Sequence, residues 1–561
     1  MKKIRVERTH NRIYIKGGFM RKCFVLILLV ALILVACIGN QSSTRPSSQT
    51  LVPTVISQTS IAAPTIEYPS PTTPSLTSTS TLAPATATVS PTPTASLFKG
   101  QALIAYETAG SSDKRLVLLD LSDGTSVEFN FPNGAFFATP FLNGLSPDAR
   151  YFVYYEGGRV EMYDQLIAES PDFVMRVFDL DRQEVIFSTP LLSPEYPQNL
   201  KPIVEMTTDQ YWMHETDRMV MLEDMYDTMQ QTMMDYMRTV TWSPDGNLLA
   251  FASENPGPTS DMYFFDPLSG DAWRVTSEPR NVFGLTWAPD SSAIALETTL
   301  YYTQATRVTT DLLTRDGTLL GSVEYIYYFR DWVGSDKILL QRFIDFGDQF
   351  ADLTLMSAID DSRITLWEGS LEEFAFSPDL SSYMITSSQP NEPGQSPGLY
   401  LMMSGTETPL HLSESRFWKV AYWGSDQFAY GASAPDKGIR DEPQVGGTYG
   451  ISKTGELTLI DEGNWYFLPS PDGKFLVAYG PFDRITGLRV FGGDGKLLAT
   501  LSDEKITCLA WDEATDSLAY QIGKILYIWQ EGDEAARQVA TQLEDEQDYR
   551  ECGFTWVNLA P

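Results

Sequence analysis

Histidine and cysteine are scarce in this chain, with three and four residues in 561. Only His214 and His411 follow residue 36, so a centre built from several histidines is excluded and a histidine-dependent triad has little to draw on. No Gly-x-Ser-x-Gly elbow, His-Glu-x-x-His pair, phosphate loop or EF-hand loop occurs. Positive charge is also short: 40 Lys and Arg stand against 73 Asp and Glu, a net charge of −33. Eight of the basic residues fall in 1–36, which leaves the remainder more acidic still. Nucleic acid is therefore excluded as a partner, because it selects basic patches. An acid-rich surface is what keeps an exported protein soluble. Long apolar runs are missing as well. The stretch Phe24–Ala36 has thirteen residues, and at ~1.5 Å per residue it cannot cross a ~30 Å hydrocarbon core. Preceded by Arg21-Lys22, it reads as the apolar centre of a signal peptide.

That run ends in Leu34-Val35-Ala36-Cys37, which resembles the bacterial lipoprotein box. The resemblance implies that residues 1–36 are removed, with Met20 the expected true start. Cys37 then becomes a lipidated N-terminus holding the protein on the extracytoplasmic side of the bacterial cell membrane. Residues 37–97 follow as a linker of Ser, Thr, Pro, Ala and Val in which Arg45 and Glu67 are the charges. Such a composition cannot bury a core and predicts a disordered tether.

From there a phrase keeps returning: Trp242-Ser243-Pro244-Asp245-Gly246, Trp287-Ala288-Pro289-Asp290, Phe376-Ser377-Pro378-Asp379 and Ser470-Pro471-Asp472-Gly473. Weaker echoes stand at Leu145-Ser146-Pro147-Asp148, Trp332, Trp423, Trp511 and Trp556. The step is about 45 residues, the period of a propeller blade of four strands. Within one unit, a strand into Trp242 is turned by Pro244-Asp245-Gly246. Leu248–Phe251, Met262–Phe265 and Trp273–Val275 then supply three more strands. The second hairpin of the units recurs as Asp123-Gly124, Ser269-Gly270, Asp316-Gly317 and Asp494-Gly495. Residues 98–561 are thus expected to form an all-β fold, a single closed β-propeller of four-stranded blades. Nine units can be counted; propellers usually have ~4–8 blades, so eight is favoured, with seven to nine open. Gly553–Val557 resembles an opening strand with nothing after it, and Ala102–Tyr106 a second strand with nothing before it. Their pairing would close the ring.

The acid of each Ser-Pro-Asp phrase is best explained by turn chemistry. Asp345, Asp348 and Asp352 make a loose acidic loop whose spacing fits no calcium motif. His411 falls on an outer strand in a structural role. Cys508 and Cys552 precede Trp511 and Trp556 by three and four residues. A bridge between them would staple the ring near its closure, but the one-residue offset points adjacent positions to opposite faces. Two buried thiols are an equal alternative. The unit from Leu145 to Trp242 is twice the usual length, and about 190–238 reads as an insertion with a helical second half. Met221, Met225, Met229, Met233 and Met237 recur there every four residues, close to His214. That stripe is either an amphipathic face packed on the propeller or a soft-metal site.

The Trp-Ser-Pro-Asp-Gly phrase followed by an apolar strand resembles the TolB-like, or WD-like, propeller repeat of exported bacterial proteins. It is also similar to the non-catalytic propeller of prolyl-oligopeptidase-type peptidases. The resemblance implies a fold and no particular activity. Expected is a monomeric, lipid-anchored module without cofactor that binds a protein, peptide or glycan. The alternatives are a carbohydrate-active enzyme using acidic residues at the propeller axis, or soft-metal binding by the Met-rich insertion.

Overall fold

The computed structural model describes the strands and tight turns between Ala102 and Asn558. Residues 1–101 and 559–561 lie outside the described residues, as do several connections, chiefly 158–172, 194–238, 388–397, 433–446 and 544–551. The signal segment, the linker and nearly all of the insertion therefore fall outside them.

Among the described residues there are nine antiparallel sheets, each of four strands, numbered as blades 1 to 9 from the sheets that contain Ala102, Tyr151, Leu249, Ala293, Lys337, Ser382, Gln427, Phe475 and Leu518 in turn. Blade 3 shows how sequence builds one. Val240–Trp242, Leu249–Ser253, Asp261–Asp266 and Asp271–Arg274 pair in that order. The second strand is buried along its whole length and the fourth is exposed along its whole length. The first strand is therefore innermost and the fourth forms the rim. The core lies between blades. Phe264 of blade 3 stacks on Trp287 of blade 4 with ring centroids 5.4 Å apart, and one apolar cluster runs from Leu248 to Leu313 across both. Each blade buries its faces on its neighbours, so a chain of this length avoids the limit on a single core.

The ring closes as the ends of the sequence suggest. Phe554–Asn558 is the innermost strand of blade 1, with Ala102 opposite Asn558 and Tyr106 opposite Phe554. The blade count is nine, which corrects the favoured eight. The long unit holds blade 2. It keeps Tyr151–Glu156, Val174–Asp179 and Glu184–Pro190, while its inner strand shrinks to Phe136–Phe137. A short 3₁₀ turn, Phe141–Gly144, stands between that strand and the Leu145-Ser146-Pro147-Asp148 phrase.

The repeated phrase has two jobs. Its serine and aspartate shape the turn: Ser243 Oγ donates to Asp245 Oδ1 at 2.6 Å and accepts from Leu248 N at 2.9 Å. Asp245 Oδ1 also accepts from Asn247 N at 3.1 Å. Ser146 with Asp148 and Ser470 with Asp472 repeat the pattern. Burial works to raise the pKa of Asp245, but hydrogen bonds from Ser243, Arg315 and Asn247 win and hold it far below the usual carboxylate range. The tryptophan fastens one blade to the next. Its Nε1 donates to the carbonyl just before the matching position of the preceding blade: Trp242 to Gly144 at 3.1 Å, Trp287 to Thr241 at 3.3 Å, Trp332 to Thr286 at 3.0 Å. Trp511 to Leu468 (3.2 Å) and Trp556 to Ala510 (3.0 Å) continue the ladder. It lapses where the position is Phe376 or Pro469, and the buried Trp423 Nε1 has no partner among the described residues.

The ladder shows that inner strands run the same way around the ring. Strands alternate direction within a blade, so first-to-second and third-to-fourth turns share one end, here the turn end. Second-to-third and blade-to-blade connections share the other, the loop end. The five large connections named above all leave from the loop end.

Candidate functional site

Four consecutive blades bring ionisable groups to the axis in an arc of alternating sign. Glu297 comes from the second strand of blade 4 and Arg330 from the inner strand of blade 5. Glu373 begins the inner strand of blade 6, and Lys419 sits on that of blade 7. Each feels the next: Arg330 lies in the field of Glu297 and Glu373, and Lys419 in that of Glu373. Arg330 Nε donates to the buried Gln341 Oε1 at 2.5 Å. Lys419 Nζ stands 5.7 Å above the ring of Phe467 on blade 8.

Local irregularity positions these groups. The inner strands of blades 4, 5 and 7 each carry a bulge, between Val282 and Gly284, Phe329 and Asp331, and Phe417 and Lys419. Bulges re-aim side chains and cluster at functional sites. Arg330 is itself the extra residue of its strand. Gly284, opposite Glu297, leaves the room that the carboxyl fills: a Cβ there would meet Glu297 Oε2 at 2.6 Å.

Burial pushes the Glu297 carboxyl up to about 7, with Arg330 pulling the other way. Burial lowers the Lys419 ammonium, opposed by Glu373. Arg330 is accessible to solvent, yet the surrounding protein still depresses its pKa against the pull of Glu297 and Glu373. The arc can hold a ligand through alternating donors and acceptors, and Glu297 can carry a proton near neutral pH.

Sequence reasoning missed this arc. Its signal was a charge set among apolar or aromatic neighbours, as in Phe417-Trp418-Lys419-Val420 and Ala295-Leu296-Glu297. Of the residues it did single out, Cys37, His214, Met221, Met225, Met229, Met233 and Met237 lie outside the described residues. His411 is on the outer strand of blade 6, its ring 4.8 Å from that of Tyr400. Asp352 accepts from Gly369 N at 3.1 Å and pairs with Arg342. Cys508 and Cys552 are bonded to each other, with Cα atoms 5.4 Å apart. The offset does not separate them, because Cys552 precedes the strand Phe554–Asn558, where alternation no longer sets direction.

No protein-family model matches this chain. Over 59 residues it is 36% identical to the uncharacterized peptidase YuxL of Bacillus subtilis (strain 168), a stretch covering 10% of this chain and 9% of that protein. The chain thus matches about a tenth of that relative's length. Among solved structures it is similar to a eukaryotic initiation factor, with 12% identity and a TM-score of 0.49 over 82% of this chain and 99% of that one. It is also similar to a prolyl endopeptidase structure, with 13% identity and a TM-score of 0.36 over 53% of this chain and 47% of that one. The class is set by the nine closed sheets themselves, those of an all-β propeller protein.

Proposed function

We propose that this protein is a lipid-anchored, extracytoplasmic binding module that holds a protein, peptide or glycan over the loop end of its propeller without changing it covalently. The observation that carries this reading is that the three longest connections, following Glu156, Pro190 and Ala432, all leave from one end of the ring. Binding surfaces are commonly built from variable loops on such a scaffold. The arc from Glu297 to Lys419 supplies polar anchors at the axis beneath them. The anchor rests on Leu34-Val35-Ala36-Cys37.

A photo-reactive residue at Lys524, in a loop-end turn, tests it against one at Ser269, in a turn-end turn. On intact cells a defined partner should be captured from Lys524 and not from Ser269. Capture from Ser269 alone, or equally from both, overturns the reading. Glu297 favours a second reading, a carbohydrate-active enzyme, since a carboxyl protonated near neutral pH is the state a general acid requires. Its signature would be polysaccharide cleavage that Glu297→Gln abolishes while the fold is retained.

A further inference from the structure

The apolar side chains left outside the core are not scattered. Eleven large hydrophobic residues are exposed among the described residues. Every one lies in a third-to-fourth turn or within the first three residues of a fourth strand. Leu268 and Ile359 occupy the turns and are 58% and 78% exposed. Leu319, Ile364, Leu410 and Leu497 stand at the start of the fourth strands of blades 4, 5, 6 and 8. Third-to-fourth turns share the turn end, so these residues form a crown around blades 2 to 8 at that end. Single exposed leucines are ordinary on any surface. Within the fourth strands themselves, the described apolar residues beyond the third position, such as Phe187, Val323, Leu366, Trp367, Ile460 and Leu501, are half-buried or buried, so the exposed ones favour the turn end.

The path of the chain points to the same end. Ala102 begins the second strand of blade 1, and second strands begin at the turn end. Ala102 pairs with Asn558 where the inner strand finishes. The described chain therefore enters the ring at Ala102, on the side that bears the crown.

We propose that the crown is the surface the propeller lays on a lipid bilayer, which turns the loop end outward to its ligand. This rests on the reading of Cys37 as a lipid anchor. Shape favours a bilayer as the occupant: a ring of apolar points at one level matches a flat surface, whereas a peptide needs a continuous groove. Charge narrows the lipid. The same turns carry Arg315 beside Asp316 and Lys496 near Asp494, and also the acidic pair Asp360-Asp361. Mixed to acidic tips on a strongly acidic protein suit zwitterionic headgroups and not an anionic leaflet. Each side chain enters only the headgroup boundary and contributes little alone. An acyl anchor raises the local concentration of the bilayer enough for weak contacts to orient the ring.

The test uses the full lipidated chain in phosphatidylcholine vesicles. With Cys508 and Cys552 bonded and Cys37 acylated, a cysteine from Ser269→Cys or Lys524→Cys is the thiol open to an environment-sensitive dye. The dye at 269 should shift to the blue and be quenched by brominated acyl chains, and the dye at 524 should do neither. Adding Leu268→Glu and Ile359→Glu should remove most of the quenching at 269 while the protein still floats with the vesicles. Flotation with 269 unquenched overturns the crown alone. Quenching that survives the double substitution also overturns it, because the contact would then not be apolar. Failure of the unsubstituted chain to float overturns the anchor, and this proposal with it.

Discussion

Glutamine at position 297 should flatten a dependence of stability on pH. The Glu297 carboxyl is raised from an ordinary 4.5 to about 7 by burial, partly offset by Arg330. Between those values the folded protein keeps a proton that the unfolded chain releases. The stabilising contribution is complete below pH 4.5, falls as pH climbs to about 7, and changes no further above it. A displacement of that size corresponds to at most about 3 kcal/mol. Glu297→Gln has the shape of the protonated side chain and never ionises. Its thermal midpoint relative to wild type should therefore rise between pH 5 and pH 8, with most of the gain appearing near pH 6. Paired melting curves across that range read the difference directly. The reasoning is falsified if the gap between the two proteins is the same at pH 5 and pH 8.

Two further substitutions probe how the ring is held. Trp287→Phe loses the Nε1 bond to Thr241 O and should cost about 1 kcal/mol beyond the packing loss. Trp423→Phe, which removes a donor without a partner, should be the milder of the two by that amount in denaturant titrations; a larger loss at 423 would contradict the ladder. Reduction of Cys508–Cys552 opens a loop spanning 44 residues and should lower stability by about 4 kcal/mol on the chain-entropy account. Melting with and without a thiol reductant measures this, and an unchanged midpoint would show that the bridge does not secure the closure.

Much of the fold was legible because blade-making is local. Proline presets a turn, the aspartate beside it accepts a backbone N–H, and serine two residues earlier completes the corner, so Ser243-Pro244-Asp245-Gly246 announces its own conformation. The pairing of Ala102–Thr108 with Phe554–Asn558 followed from two incomplete units. The count was harder. All nine units could be counted, and eight was favoured because propellers usually have fewer blades; blade 2 is the irregular one, with a two-residue inner strand where the others spend three or more. The cysteines stayed undecided for a related reason: alternation governs strand residues, and Cys552 stands just outside its strand.

The period of the repeat, the turn residues and the complementary ends specify a ring of sheets, since each depends on dihedral preference and hydrogen bonding within a few residues. The partners of Glu297, Arg330, Glu373 and Lys419 depend on something the chain does not spell locally. These groups lie far apart along the backbone and meet because adjacent blades set inner strands side by side, with bulges choosing which residue turns toward the axis. A bulge shifts register by one position, and one position separates a buried face from a channel. The chemistry at the axis is therefore a property of packing between blades, while the blades themselves are written in each repeat.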